Sequence, residues 1–433
     1  MKQKIINWIE PEILSAKIIA SYQESLDFAF LLSGIKSNNS NSKSYLALFP
    51  QEEIFGNKIN DIEKKITQNH DWWIGYFAFE SAQDIENIKF SNNYFIKNPN
   101  ILWVKFSLIL EFNHLEKSII IHYSEESQLD FIDNCEKSSI EPEKDGEYFA
   151  SSCNSNFSDE EYLTAINKIK IQISNGDYYQ TNLTRKFYGK INCEINKNKA
   201  WKIFSDLCKA SPSNYSALIK NRYSYIISAS PELFLSINNQ KIISKPIKGT
   251  SPRDHKDEKK DIQNRDYLIN STKEKSENLM IVDLVRNDLS RISKIGSVKV
   301  DRLFQVDSYQ TIHHLSSEIS GIMLEECNIF SAIIACFPPG SMTGAPKIKA
   351  IEASNSFEKM ARGIYSGTIG IIKSKDEAVF SVVIRTLILQ NNNFEFQAGG
   401  AITFDSEPQK ELEETYHKAK AINKVLKINL KNN

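Results

Sequence analysis

Between Tyr223 and Thr403 the chain sets short apolar runs in two successive groups, YSYIISA, FLSI and KIISKPI, then GIYSGTIGII, AVFSVVIRTLIL and FEFQAGGAIT. Runs rich in Ile, Val and Phe, bounded by Gly, Pro, Asn or Ser, read as strands. A parallel sheet needs a helix-sized crossover between neighbouring strands, and this stretch lacks regular strand–helix alternation. The pattern therefore predicts an α+β fold built on antiparallel sheets. Helices are expected near residues 259–292, 326–335, 346–354 and 407–427. Another starts at Ser158, where Ser158 and Glu161 have capping-box spacing and Tyr162, Ile166, Ile169 and Ile173 form one apolar stripe that Gly176 ends.

The first 135 residues read as further short strands, SYLALFP, WWIGYFAFE, ILWVKFSLILEF and SIIIHY, broken by polar turns. The Asn/Ser-rich segment from Gly34 to Ser44 is expected to be an exposed loop. A polar stretch from Cys135 to Asn156 is the best boundary. It gives an N-terminal region over 1–135, a linker over 136–157 and a second region over 158–428.

The formal net charge of −1 gives no basic footprint for nucleic acid. No apolar run of roughly 18 residues suggests a membrane span. The N-terminus MKQKIINWIEPEIL meets Glu10 and Glu12 too early for a signal-peptide core, so a cytoplasmic protein is expected. Six cysteines lie scattered with no CxxC pair, which fits reduced structural thiols.

Two helices carry carboxylates at short spacing. In TKEKSENLMIVDLVRNDLSRI, Glu274 and Glu277 are three apart and share a face; in SEPQKELEETYHKAKAINKVL, Glu411, Glu414 and Lys418 do the same. Pattern alone favours solvated faces, because exposed Glu is the common case. Beside buried stripes the same pairs would suit a hard divalent cation, which takes oxygen ligands. The turn in FPPGSMTGAPKIKAIE, with Gly340 and Gly344, is either a plain helix entry or a backbone anion site. Gly399 and Gly400 would let a ligand approach the backbone. Arg385, inside the expected strand VVIRTLIL, wants an anion, supplied by the protein or by a substrate. Lys248, between Ile247 and Gly249 at a strand end, is a surface lysine by ordinary statistics. Desolvated there, its amine would have a lowered pKa and act as a nucleophile.

Together these segments resemble the chorismate-utilising enzymes, the aminodeoxychorismate, anthranilate, isochorismate and salicylate synthases. The matching blocks are NGDYYQTNLTRKF, SASPELFL, PIKGTSPR, ENLMIVDLVRNDL, HHLSSEISG, FPPGSMTGAPKIKAIE, RGIYSGTIG, SVVIRTL and AGGAITFDSEPQKELEET, in family order from about 158 to 428. WWIGYFAFE alone resembles the family's first domain. The resemblance implies two stacked antiparallel sheets with helices outside and a site in the cleft between them. It also implies Mg²⁺ on Glu277 and Glu414, supported by Glu274 and Glu411, and chorismate as substrate. Tyr365 and Arg385 would grip the enolpyruvyl carboxylate. Lys418 and the Gly399–Gly400 backbone would approach the carboxylates, with Thr250, Thr343 and Gly344 beside the ring and His314 close to the reacting atoms.

Water-adding members carry a lysine base where this chain has Gln180, and anthranilate synthases typically have alanine where it has Lys248. The PIKGT form therefore implies the amination of chorismate to 4-amino-4-deoxychorismate, for p-aminobenzoate and folate, through a covalent Lys248 intermediate. Glu232 would be the general acid and base. The runner-up is conversion of chorismate to anthranilate, for tryptophan. No Gly-Cys-Gly elbow with a downstream His-x-Glu is present, so a separate glutamine amidotransferase subunit is expected to supply ammonia. No C-terminal extension for a later lyase step is expected either.

Overall fold

The computed structural model describes residues 1–33, 43–66, 72–139, 147–309 and 312–430. The expected Asn/Ser-rich loop therefore lies outside the described residues over 34–42, as does part of the polar stretch, over 140–146. Among the described residues twenty strands form one continuous antiparallel system, so the α+β class and its strand direction stand.

The system folds about the long pair Lys43–Gly56 and Ile101–Asn113. One arm continues from Lys43–Gly56 through Phe28–Leu32, Tyr215–Lys220, Tyr225–Ser230, Thr386–Gln390 and Asn393–Ile402 to Gln180–Ile191. The other leaves the first half of Ile101–Asn113 through Trp73–Phe77, Thr368–Ser374, Glu377–Val382, Leu233–Asn238 and Lys241–Lys245 to Ile312–Ile322.

Period-two alternation then makes the layers. Ala217, Ile219 and Ile226 of one arm pack with Ile74, Tyr76, Ile369 and Ile371 of the other, between the sheets. Leu218 and Ile227 face outward onto a core shared with the helices Pro11–Ser21, Lys197–Ala210 and Pro408–Leu426. Trp73, Phe77, Leu235 and Ile237 face outward onto Thr272–Ser290 and Ile329–Cys336. Strands of the N-terminal region thus pair directly with strands of the second region, and Ala150–Ser155 from the polar stretch pairs with Gln180–Ile191.

Several local expectations shift. The helix expected over 259–292 is two, Glu258–Asn270 and Thr272–Ser290, separated at Ser271, whose hydroxyl accepts from Glu274 N–H as an N-cap. Helices Pro11–Ser21, Ile59–Ile66 and Glu126–Lys137 interrupt the N-terminal region that read as strands and turns, and Lys197–Ala210 is a helix in a stretch with no expected element. The expected strand through Arg385 is broken. Glu377–Val382 belongs to one arm, Thr386–Gln390 to the other, and Arg385 lies at φ 51° in the crossover between them. Tyr225–Ser230 and Leu233–Asn238 make the same switch beside it, with Glu232 in their crossover and its carbonyl accepting from Val382 N–H. Among the described residues no helix is long and apolar enough to cross a membrane.

A buried network fixes the glycine turn to this frame. Arg362 is 2% exposed and holds Glu358 in a two-pronged pair, Nε to Oε2 at 2.8 Å and Nη2 to Oε1 at 2.7 Å. The same guanidinium donates to the Met342 and Asn182 carbonyls, tying the turn to the strand Gln180–Ile191.

Candidate active site

The sequence around Lys248 creates an irregularity that aims its side chain. In the ladder Ile247 faces Ser316 and Thr250 faces His314, so Lys248 and Gly249 together oppose the single residue Leu315. Such a one-residue bulge re-aims side chains. Gly249 permits it, sitting at φ +88° where a Cβ would meet Glu274 Oε2 at 2.9 Å. Lys248 is half-buried, not sealed in an apolar strand. No described residue forms a hydrogen bond or ion pair with its ammonium. Its charge is nevertheless felt by Glu232, Glu274, Glu277 and Glu414.

The two helices expected to carry carboxylates deliver them to one place. Lys273 Nζ lies 3.2 Å from Glu411 Oε1 and 3.8 Å from Glu277 Oε1, joining residues far apart in the chain. Gly400 explains the close approach of Pro408–Leu426, since a Cβ there would meet Glu411 Oε2 at 3.1 Å and Glu414 Oε1 at 3.4 Å. Lys418 Nζ pairs with Glu414 at 2.6 Å and donates to the Gly399 carbonyl at 2.8 Å. Burial pushes the Glu277 carboxyl up to about 7, and burial with the neighbouring Glu414 charge raises Glu274. Burial also pushes Glu414 upward, but the Lys418 ammonium more than offsets it and leaves that carboxyl below its usual range.

Among the described residues no three His, Cys, Asp or Glu side chains form a ready cage for a metal. Mg²⁺ asks for less, being held by one or two carboxylates with water and substrate oxygens. The donors here are all oxygens, and a lysine ammonium already lies between Glu277 and Glu411. The residues present fit such a cation.

A second set of buried polar groups includes Glu232, which feels the same Lys248 charge. Glu232 is 4% exposed, and burial pushes its carboxyl up to about 7 against the opposing pull of the Ser341 hydroxyl and the Lys248 charge. Burial lowers Arg385 to about 10, opposed by the Glu232 charge; its Nη1 donates to Ser211 Oγ at 3.4 Å, and no described carboxylate pairs with it. His314 is buried, and that burial, with the Arg385 charge, lowers its imidazole to about 3. Its Nδ1 is 2.9 Å from Thr250 Oγ1, while Nε2 has no partner. Gln180 is also buried with both amide atoms unpaired. Unsatisfied buried polar atoms cost free energy, so they are expected where a ligand completes the hydrogen bonding. Burial pushes Tyr365 up to about 12.

The turn is built for close approach as well. Gly344 lies at φ +138°, where a Cβ would meet the Gln180 carbonyl oxygen at 2.2 Å, and Thr343, 2% exposed, gives its carbonyl to Asn182 N–H. Thr250 is exposed, with its hydroxyl turned to His314. Three neighbours escaped the sequence reading. Lys273 was legible in principle from its spacing of four to Glu277, whereas Ser211 and Ser341 carry no signal because their contacts depend on chain crossings far away.

Residues 36–424 match the family model described as chorismate binding enzyme. Aminodeoxychorismate synthase component 1 of Escherichia coli is 37% identical over 273 residues, 63% of this chain and 58% of that protein. The match to it thus spans little more than half its length. Aminodeoxychorismate synthase component 1 of Bacillus subtilis is 30% identical over 371 residues, 82% of this chain and 77% of that one. Among solved structures, anthranilate synthase component I from Streptococcus pneumoniae superimposes with a TM-score of 0.76 at 26% identity, covering 89% of this chain and 93% of its own. With a family model matched over most of its length and a relative of this identity and coverage, the chain belongs to the chorismate binding enzyme family.

Proposed function

We propose that this chain aminates chorismate to 4-amino-4-deoxychorismate, with ammonia from a glutamine amidotransferase subunit. The observation that carries this reading is Lys248: an unpaired amine on a bulge, half-buried, within the field of Glu232 and of the carboxylates on both helices. The relatives named component 1 support a partner subunit, and we place the reaction in the cytoplasm.

In this reading the Lys248 amine attacks the ring at C2, and both double bonds of the ring diene shift as the 4-hydroxyl departs. Glu232, protonated up to about pH 7 by burial, gives that hydroxyl its proton, so water leaves. Ammonia then adds at C4, both double bonds return to their original places, and the Lys248 nitrogen is expelled from C2 as an amine. Covalent catalysis divides one difficult substitution into two allylic ones. Arg385, with no carboxylate of its own, binds the enolpyruvyl carboxylate together with Tyr365. Glu277 and Glu414, supported by Glu274 and Glu411, would hold Mg²⁺, which when bound neutralises and fixes the ring carboxylate. Lys418, Gly399, Gly400, Thr343 and Gly344 wall the site, and Gln180 cannot act as the base of a hydratase.

The second reading is direct formation of anthranilate, favoured by the structural likeness to an anthranilate synthase component. Incubating the chain with chorismate, Mg²⁺ and ammonium and identifying the product by mass spectrometry decides between them. Aminodeoxychorismate is expected. Fluorescent anthranilate formed without another enzyme would replace this reading with the second.

A further inference from the structure

Lys273 occupies a position that its own helix disfavours. It lies in the first turn of Thr272–Ser290, where the helix dipole presents its positive end and a cation is out of place. Its Nζ nevertheless sits 3.2 Å from Glu411 Oε1 and 3.8 Å from Glu277 Oε1. Glu411 also accepts from Ser406 Oγ at 2.8 Å, so this carboxylate is held in place from its own helix's side. The side chains of Glu277 and Glu411 are 12% and 2% exposed, while that of Lys273 is 44% exposed. The carboxylates are buried and the ammonium is on a flexible stem with solvent at hand.

We propose that Lys273 is a displaceable counter-ion, holding the carboxylates of Glu277 and Glu411 in the metal-free protein and giving them up when a divalent cation arrives. The proposal rests on reading those carboxylates as part of the cation site. Two buried-side carboxylates left facing each other repel, which raises the cost of an empty site. A single ammonium relieves that repulsion but competes with any ion using the same oxygens. When the cation enters, Lys273 swings to solvent through its four-carbon stem. The consequence is a site that stays folded when empty and binds its ion more weakly than bare carboxylates would.

The test uses the whole chain with Mg²⁺ alone, titrated calorimetrically, and thermal melting in chelator and at saturating Mg²⁺. Lys273→Gln is expected to bind Mg²⁺ about tenfold more tightly and to melt lower than wild type in chelator, with the gap closing as Mg²⁺ saturates. Lys273→Arg, which keeps the charge and adds a two-pronged grip on carboxylates, is expected to bind Mg²⁺ more weakly, and serves should the Gln variant fail to fold. Unchanged Mg²⁺ affinity in these variants, while Glu277→Gln and Glu411→Gln weaken it, overturns the counter-ion role alone. Unchanged affinity in Glu277→Gln and Glu411→Gln overturns the cation site and the proposal with it.

Discussion

Thr250 Oγ1 meets His314 Nδ1 at 2.9 Å across the bulged ladder, so the residue two places after Lys248 orients the imidazole that lies beside Arg385. A hydroxyl holding Nδ1 leaves Nε2 without a protein partner, the atom that would meet the substrate in the proposed reaction. Removing the hydroxyl with Thr250→Val should lower kcat about tenfold, the scale of one hydrogen bond, while Thr250→Ser should restore most of it. His314→Gln, which places an amide near the Nε2 position, should retain more activity than His314→Asn. Steady-state kinetics of the four variants checks the order.

The pH dependence follows from two carboxyls pushed the same way for different uses. In the proposed reaction Glu232 would serve in its protonated form, and burial raises it to about 7, so the acid form is complete well below that value and is lost as pH rises through it. As a proposed cation ligand Glu277 would serve ionised, and because burial raises it to about 7 as well, its affinity for a cation should grow over the same range. A kcat measured at saturating Mg²⁺ should therefore fall above pH 7, while apparent Mg²⁺ affinity rises. Glu232→Gln should abolish the falling limb and reduce kcat by about 10²–10⁴-fold. The raised folded value of Glu232 also has a stability consequence. Its favourable contribution is complete below the ordinary Glu range and disappears as pH rises through about 7.

Arg385 gives a prediction about binding. Its guanidinium is bonded to Ser211 at 3.4 Å and has no carboxylate partner among the described residues. Charge-assisted bonds contribute about 1.5–3 kcal/mol, so Arg385→Met should cost roughly 10–100-fold in kcat/KM for chorismate, largely through KM. Melting temperature should change little, because the arginine completes no ion pair in the fold.

Arg362 is the opposite case. Arg362→Met would leave Glu358 charged and buried while freeing the Met342 and Asn182 carbonyls. Breaking a buried pair in this way costs about 3–5 kcal/mol. Urea denaturation should show that loss, with the glycine turn loosened and activity falling for a structural reason.

Much of this was written into local sequence. The capping box Ser158–Glu161 and the shared face of Glu411, Glu414 and Lys418 depend on neighbours three or four residues away, and the antiparallel strands on the order of successive apolar runs. The glutamate pairs acquired roles only through the family resemblance, since spacing cannot tell a solvated face from one that another helix covers. Arg385 was placed inside a strand because its flanks are apolar on both sides. Those flanks belong to two different sheets, and the backbone turns between them at the arginine itself. Glu232 lies in the matching crossover, and only the tertiary path sets the two beside each other. The helices within 1–135 escaped because stripes such as that of Pro11–Ser21 are short and mixed with polar residues.

The most direct test is the intact mass of the protein incubated with chorismate and Mg²⁺ in the absence of ammonium, followed by peptide mapping. An adduct equal to chorismate less one water, located on the Lys248 peptide and discharged when ammonium is added, is the predicted result. An unmodified Lys248 together with a Lys248→Ala variant that aminates chorismate at the wild-type rate would contradict it.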